Sequence, residues 1–258
     1  MTALVPYVTG GITGDWTDYL LAYQEAGATA IEIGLPFSDP MLDGVTIQQA
    51  SDRALSRGVT VTSILQDLVQ VRDQVRVPLI VMTYANLVFH RSPAVFCRRL
   101  AEAGVSGLIV PDLPVDEAAP VADAAAEAGL DLIPLVAPVT PDDRLAEIVA
   151  LGRGYIYAVS VMGTTGERTA LGGSAAGLAA RVKAVTDRPV LIGFGVSTPE
   201  QAAEAGRAGD GVVVGAALMR RVLDGATAAD LRETVAALAA ALEGSADYAY
   251  AEVSGDRR

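Results

Sequence analysis

The sequence predicts an α/β chain of alternating strands and helices closed into a single (β/α)8 barrel of the TIM type, and three observations carry that reading. Short, continuous apolar runs recur along the chain, as expected of parallel strands covered on their outer face. Ala-rich amphipathic stretches lie between them, and four close on one phrase: EAGA at Glu25, EAGV at Glu102, EAGL at Glu127 and RAGD at Arg207. Glycine just past the last helical turn is the usual left-handed cap, so each phrase marks a helix ending before a strand. Eight such units fit 258 residues, a length that barrels of this kind commonly use as one domain. An open doubly wound sheet has the same periodicity and remains the alternative.

In chain order, the first strand is expected at 4–9, followed by a helix at 15–26 that closes on EAGA. The second strand, 30–34, is stopped by Gly34 and Pro36, and helical patterns at 47–57 and 63–74 follow it. Strands at 78–83 and 107–110 flank a helix at 94–103, and a helix at 116–128 leads to the fifth strand, 131–136. A helix at 142–151, a strand at 156–160, a helix at 175–186 and a strand at 190–194 come next. The last unit is a helix at 199–208 and a strand at 211–214, whose VVVGAAL opens a further helix. No stretch between Gly58 and Ala228 resembles a linker, so one catalytic domain is expected over 1–242. The final residues, 243–258, lose the pattern and are expected to be disordered.

Composition narrows the function. The net charge is −12 and no Lys/Arg cluster interrupts it, which argues against nucleic acid and anionic membrane surfaces as partners. The single cysteine, Cys97, sits in a helical pattern and reads as a small core residue. No stretch reaches 18 uninterrupted apolar residues and the start lacks a charged segment followed by a long apolar one, so a soluble cytoplasmic protein is expected.

The chemistry is expected at the C-terminal ends of the strands, which converge on one mouth. Glu32, in AIEIGLPFSDP, is the one carboxylate within a strand core, and Asp39 and Asp43 follow on a loop. A carboxylate is costly to bury without a partner, and desolvation raises its pKa, which suits it to passing protons near neutrality. A buried Glu–Lys or Glu–Arg pair is the competing explanation, but no strand interior holds a basic residue. Asp43, followed by Gly44, equally suits a helix cap. Strand three ends in Thr83, Tyr84 and Asn86, strand four in Pro111 and Asp112, and strand six runs from Tyr157 to Ser160.

Three glycine-bearing segments follow later strands: GTTG at Gly163, GFGVS at Gly193 and VVVGAAL at Val212. Loops after strands seven and eight, with a helix N-terminus, form the usual phosphate site of a barrel through backbone N–H groups and the helix dipole. A phosphorylated substrate is therefore expected. The phases above also turn Tyr7, Met82, Ile109, Val136 and Phe194 inward, where packing explains each and together they offer a dry slot for an aromatic ring. His90 reads as a solvated loop residue, and neither a metal nor a redox cofactor is implied. No P-loop, dinucleotide fingerprint or nucleophile triad is present.

These motifs, in this order, resemble the α subunit of tryptophan synthase over nearly the whole chain: PYVTGG at Pro6, EIGLPFSDP at Glu32 with DG at Asp43, TIQQA at Thr46, VMTYANLVF at Val81, PDLPVDE at Pro111, GTTG, GFGVS and VVVGAA. The resemblance implies a carbon–carbon lyase of tryptophan biosynthesis that cleaves indole-3-glycerol phosphate to indole and glyceraldehyde 3-phosphate. It implies Glu32 as general acid and base, Asp43 as the acid that holds the ring N–H, and Tyr157 as an orienting group. Gly166, Gly195, Gly215 and Ala216 would hold the phosphate, Thr165 would lie on a mobile loop, and Tyr7, Tyr84, Ile109 and Phe194 would flank the indole. It further implies no cofactor of its own and a β subunit that carries pyridoxal phosphate and receives the indole. A stand-alone lyase releasing free indole is the alternative, and a non-catalytic barrel is a third reading.

Four departures from the family pattern accompany the resemblance. The first strand begins only about three residues in, where members usually carry a helix over the barrel bottom. Leu42 and Val45 replace Ala and Pro beside Asp43, Val161 stands where Arg is frequent, and Ala216 replaces a Ser of the phosphate site. The missing hydroxyl implies weaker phosphate affinity.

Overall fold

The computed structural model describes residues 2–159, 171–193 and 195–243. Among these, nine strands form one parallel sheet: β1 Ala3–Thr9, β2 Ile31–Gly34, β3 Leu79–Met82, β4 Gly107–Ile109, β5 Asp131–Leu132, β6 Leu135–Val136, β7 Ile156–Val159, β8 Val190–Gly193 and β9 Gly211–Val214. The helices are α1 Trp16–Glu25, α2 Val45–Ser56, α3 Val61–Val71, α4 Ala85–Phe89, α5 Pro93–Glu102, α6 Ala119–Ala128, α7 Asp142–Leu151, α8 Leu171–Lys183, α9 Pro199–Ala208, α10 Ala216–Leu223 and α11 Ala228–Glu243.

The sheet order is β5-β4-β3-β2-β1-β9-β8-β7-β6. Its two ends, β5 and β6, are two halves of one run of chain, so the sheet comes round on itself into the expected (β/α)8 barrel. The break falls at Ile133–Pro134. Proline has no N–H to give a neighbour, yet its carbonyl still accepts from Tyr157 at 3.0 Å while Ile133 donates to Leu108 at 2.9 Å, which stitches the run to β7 on one side and β4 on the other.

Alternation along the strands divides the core in two. Val5, Ala30, Ile80, Ile109, Tyr155, Leu191 and Val213 form a cluster built from strand and strand-flanking residues, which fills the barrel. The intervening residues, such as Val8, Ile31, Val81 and Val214, pack outward against helical residues including Leu20, Leu68, Leu100 and Leu218. Val136 joins the outer packing, with Leu145, Val149 and Leu178. The expectation that it faces inward is off by one residue: Leu135 is the inward neighbour, and a shift of one position moves a strand residue to the other face. At the N-terminal end of the barrel Ala3, Ala30 and Tyr155 are all but fully buried.

Three of the four repeated phrases end as expected, with Gly27, Gly104 and Gly129 in the left-handed region. Gly209 does not: it is extended, at φ −127° and ψ −167°. Its requirement is closeness rather than handedness, because a Cβ there would stand 2.6 Å from the carbonyl oxygen of Val190. The sequence reading also left out α4 and α11. Cys97 is buried in α5 and His90 is exposed, as expected.

Candidate active site

Glu32 and Gly34 of β2, with Ala30 just before the strand, lie on the inward face, and Glu32 is 2% exposed. Its cross-strand neighbours are Tyr7 on β1 and Ile80 on β3. Among the described residues no hydrogen bond reaches its Oε2. Burial, and then the nearby charge of Asp43, push its pKa up to about 8. Glu32 therefore holds its proton near neutral pH but stands close to the point of release.

Asp43 lies in the loop after β2. It does not cap α2: the cap position is Gly44 and no side chain bonds the helix start. Burial raises the Asp43 carboxyl to about 6, while a hydrogen bond with Tyr84 pulls it down. The Tyr84 hydroxyl accepts from the backbone N–H of Leu42 at 3.0 Å. Its ring stacks on Phe37, centroids 5.1 Å apart. Tyr84 is thus both a wall of the mouth and a strut under the acid loop. Phe37 was missed from sequence, where it reads as a residue within a turn.

Two tyrosines stand beside Glu32 because strand glycines leave room for them. A Cβ on Gly34 would fall within the Tyr7 hydroxyl and 2.5 Å from its Cζ, and one on Gly193 would run into the Tyr157 ring. The Tyr7 hydroxyl bonds Thr9 at 3.2 Å rather than Glu32. Tyr157 is buried, and desolvation followed by the charges of Glu32 and Tyr7 raises its pKa well above the usual phenol value. We expect Gly34→Ala and Gly193→Ala each to cost about 1–3 kcal/mol, since buried rings cannot move aside freely. Urea unfolding checks this, and an unchanged midpoint would contradict the close packing.

The barrel mouth also holds the N-terminus of α10. Gly215 is the cap residue of α10 and Ala216 its first residue, so free N–H groups and the positive end of the helix face the strand ends. Gly195 is exposed at φ +87°. Gly215 lies against Tyr7, its notional Cβ 3.5 Å from Tyr7 Cβ, which sets the start of α10 beside that side chain. Arg220 of α10 binds Thr46 at 3.2 Å and Gln49 at 2.7 Å, tying this helix to the one that follows Asp43. Ile109 is fully buried beneath the mouth. Thr165, Gly166 and Phe194 lie outside the described residues, as does Val161. No cluster of three or more His, Cys, Asp or Glu able to hold a metal occurs among the described residues.

A (β/α)8 barrel with a buried acid on its inner face, a second acid in the loop after the same strand and a helix N-terminus after β9, on the far side of β1 from β2, has the build of an enzyme-type barrel with groups suited to proton transfer. Residues 1–249 match the family model described as tryptophan synthase alpha chain. The tryptophan synthase alpha chain of Picosynechococcus sp. is 45% identical over 232 residues, covering 89% of this chain and 88% of its own. Among solved structures, tryptophan synthase from Mycobacterium tuberculosis matches with a TM-score of 0.86 at 40% identity, covering 93% of this chain and 92% of that one. A chain of the tryptophan synthase α2β2 complex of Pyrococcus furiosus matches with a TM-score of 0.84 at 35% identity, covering 93% and 100%. The chain belongs to the tryptophan synthase alpha chain family.

Proposed function

We infer that this chain cleaves indole-3-glycerol phosphate to indole and glyceraldehyde 3-phosphate, as a lyase of tryptophan biosynthesis. The observation that carries the reading is the buried Glu32 carboxyl, held on the inner barrel face near Asp43 with one oxygen that no hydrogen bond reaches among the described residues. Glu32 delivers its proton to C3 of the indole ring, and Asp43 holds the ring N–H as positive charge develops there. The bond from C3 to the glycerol carbon then breaks, and its electron pair returns to the ring and neutralises the nitrogen. The hydroxyl proton on that carbon passes to the Glu32 carboxylate, the carbon becomes an aldehyde, and the acid is regenerated.

In this reading Glu32, Asp43 and Tyr157 are the catalytic set. Gly166, Gly195, Gly215 and Ala216 take the phosphate, with Thr165 on the loop that closes the site. Tyr7, Tyr84, Ile109 and Phe194 flank the indole. The domain runs over 1–242 and works in the cytoplasm; among the described residues no helix is long and apolar enough to cross a membrane.

A β subunit carrying pyridoxal phosphate is the proposed partner. Met41, Leu42 and Val45 are 81%, 53% and 66% exposed in the acid loop and Phe89 is 44% exposed nearby on α4, an apolar rim that association would cover. The relatives named above support this over a stand-alone lyase, since each is a tryptophan synthase chain and one belongs to an α2β2 complex. The test is indole release from indole-3-glycerol phosphate with and without an added β subunit. Activation by the partner is expected; high turnover alone that the partner leaves unchanged would favour the stand-alone enzyme, and no indole under either condition would overturn the reading.

A further inference from the structure

The PDLP phrase at Pro111 has no place in the chemistry above, yet its acid makes a specific long-range contact. Asp112 follows β4, and its Oδ1 accepts the backbone N–H of Ala85, the first residue of α4, at 2.8 Å. That N–H belongs to the first turn of the helix and has no acceptor within it. The residue at the cap position is Tyr84, which makes no side-chain cap bond. Its hydroxyl is committed elsewhere, taking the N–H of Leu42 at 3.0 Å. Having accepted that hydrogen bond, the hydroxyl keeps its own proton to donate to the carboxylate of Asp43, with which it is hydrogen-bonded.

We propose that Asp112 is a positioning residue for Asp43, acting through the Ala85 backbone and the Tyr84 hydroxyl. Asp112 caps a five-residue helix from a different strand, and so fixes the backbone on the C-terminal side of Tyr84. Phe37, stacked on the ring, fixes the other degree of freedom. With both held, the hydroxyl is delivered to the acid loop, and the loops after β2, β3 and β4 act as one unit around Asp43. The same unit carries the exposed residues Met41, Leu42 and Phe89, so anything seated on that rim also presses on the strut.

The inference rests on the catalytic role given to Asp43, and its test is chosen to be independent of turnover. In the full chain, the carboxyl of Asp43 is followed by 13C NMR through a pH titration. Asp112→Ala is expected to move the Asp43 midpoint upward by roughly one pH unit, because a hydrogen bond to the charged form is lost. Tyr84→Phe should give a similar shift, and the double variant no more than either alone. Asp112→Asn keeps an acceptor oxygen and should restore the wild-type midpoint. Asp112→Ser, too short to reach Ala85, stands in if Asp112→Ala does not fold. With indole-3-glycerol phosphate, Asp112→Ala should lower kcat about tenfold with little change in KM.

An unchanged Asp43 midpoint in folded Asp112→Ala or Asp112→Ser, or shifts that sum in the double variant, would overturn the proposal. Wild-type protein inactive on the substrate would instead overturn the proposed function and leave the titration to decide this relay.

Discussion

Glu32→Gln is expected to lower indole formation by about 10²- to 10⁴-fold, the usual worth of a positioned proton transfer, while the barrel stays folded. Glutamine is nearly the same size and fills the same place on β2, but it can neither give a proton to the ring nor take one from the glycerol hydroxyl. The pH profile of the wild type provides a second measure of the same role. With Glu32 at about 8 and Asp43 at about 6, the productive arrangement is a protonated Glu32 beside an ionised Asp43. Turnover should therefore peak between these values, falling above about 8 as Glu32 loses its proton and below about 6 as Asp43 gains one. Steady-state rates across pH 5 to 9 check this. A Glu32→Gln variant within threefold of wild type would remove Glu32 from the chemistry.

The reason Glu32 is legible in the sequence is local: one acid inside an apolar strand, with no basic residue in any strand to answer it, and the barrel turns it inward as the alternation requires. Glycine phrases after helices locate most strand starts for the same reason, since they depend on backbone geometry within a few residues. Features that depend on distant partners were not legible. Asp112 reads only as a polar residue at a strand end, because its partner is a backbone N–H 27 residues away. The helix it supports, α4, has five residues, too few to form a stable helix unaided, so no periodic signal marks it. Val136 was turned the wrong way because the fifth strand divides at Ile133–Pro134, and phase carried across such a break is unreliable. Of the tyrosines beside Glu32, Tyr7 reads as a ring wall and Tyr157 as an orienting group, but the glycines that admit them, Gly34 and Gly193, read only as turn or phosphate residues.

Stability should respond to Glu32 in the direction opposite to activity. In the folded chain its pKa is about 8, against 4.5 for an unperturbed glutamate. The folded state therefore binds the proton more tightly than the unfolded state. Below pH 4.5 both states are protonated and the group costs little. Between about 4.5 and 8 the unfolded chain has released the proton while the folded chain retains it, so stability falls as pH rises. At pH 8 and above the loss approaches the full difference, on the order of 5 kcal/mol at 1.36 kcal/mol per unit. Glu32→Gln abolishes this titration. The variant should match wild type within about 1 kcal/mol near pH 4.5 and become more stable by several kcal/mol near pH 8. Urea unfolding of both proteins at a series of pH values isolates the effect, because groups unaffected by the change cancel in the difference. A gap that stays constant with pH, or a wild type that gains on glutamine as pH rises, would mean that the Glu32 carboxyl is not held in a desolvated site.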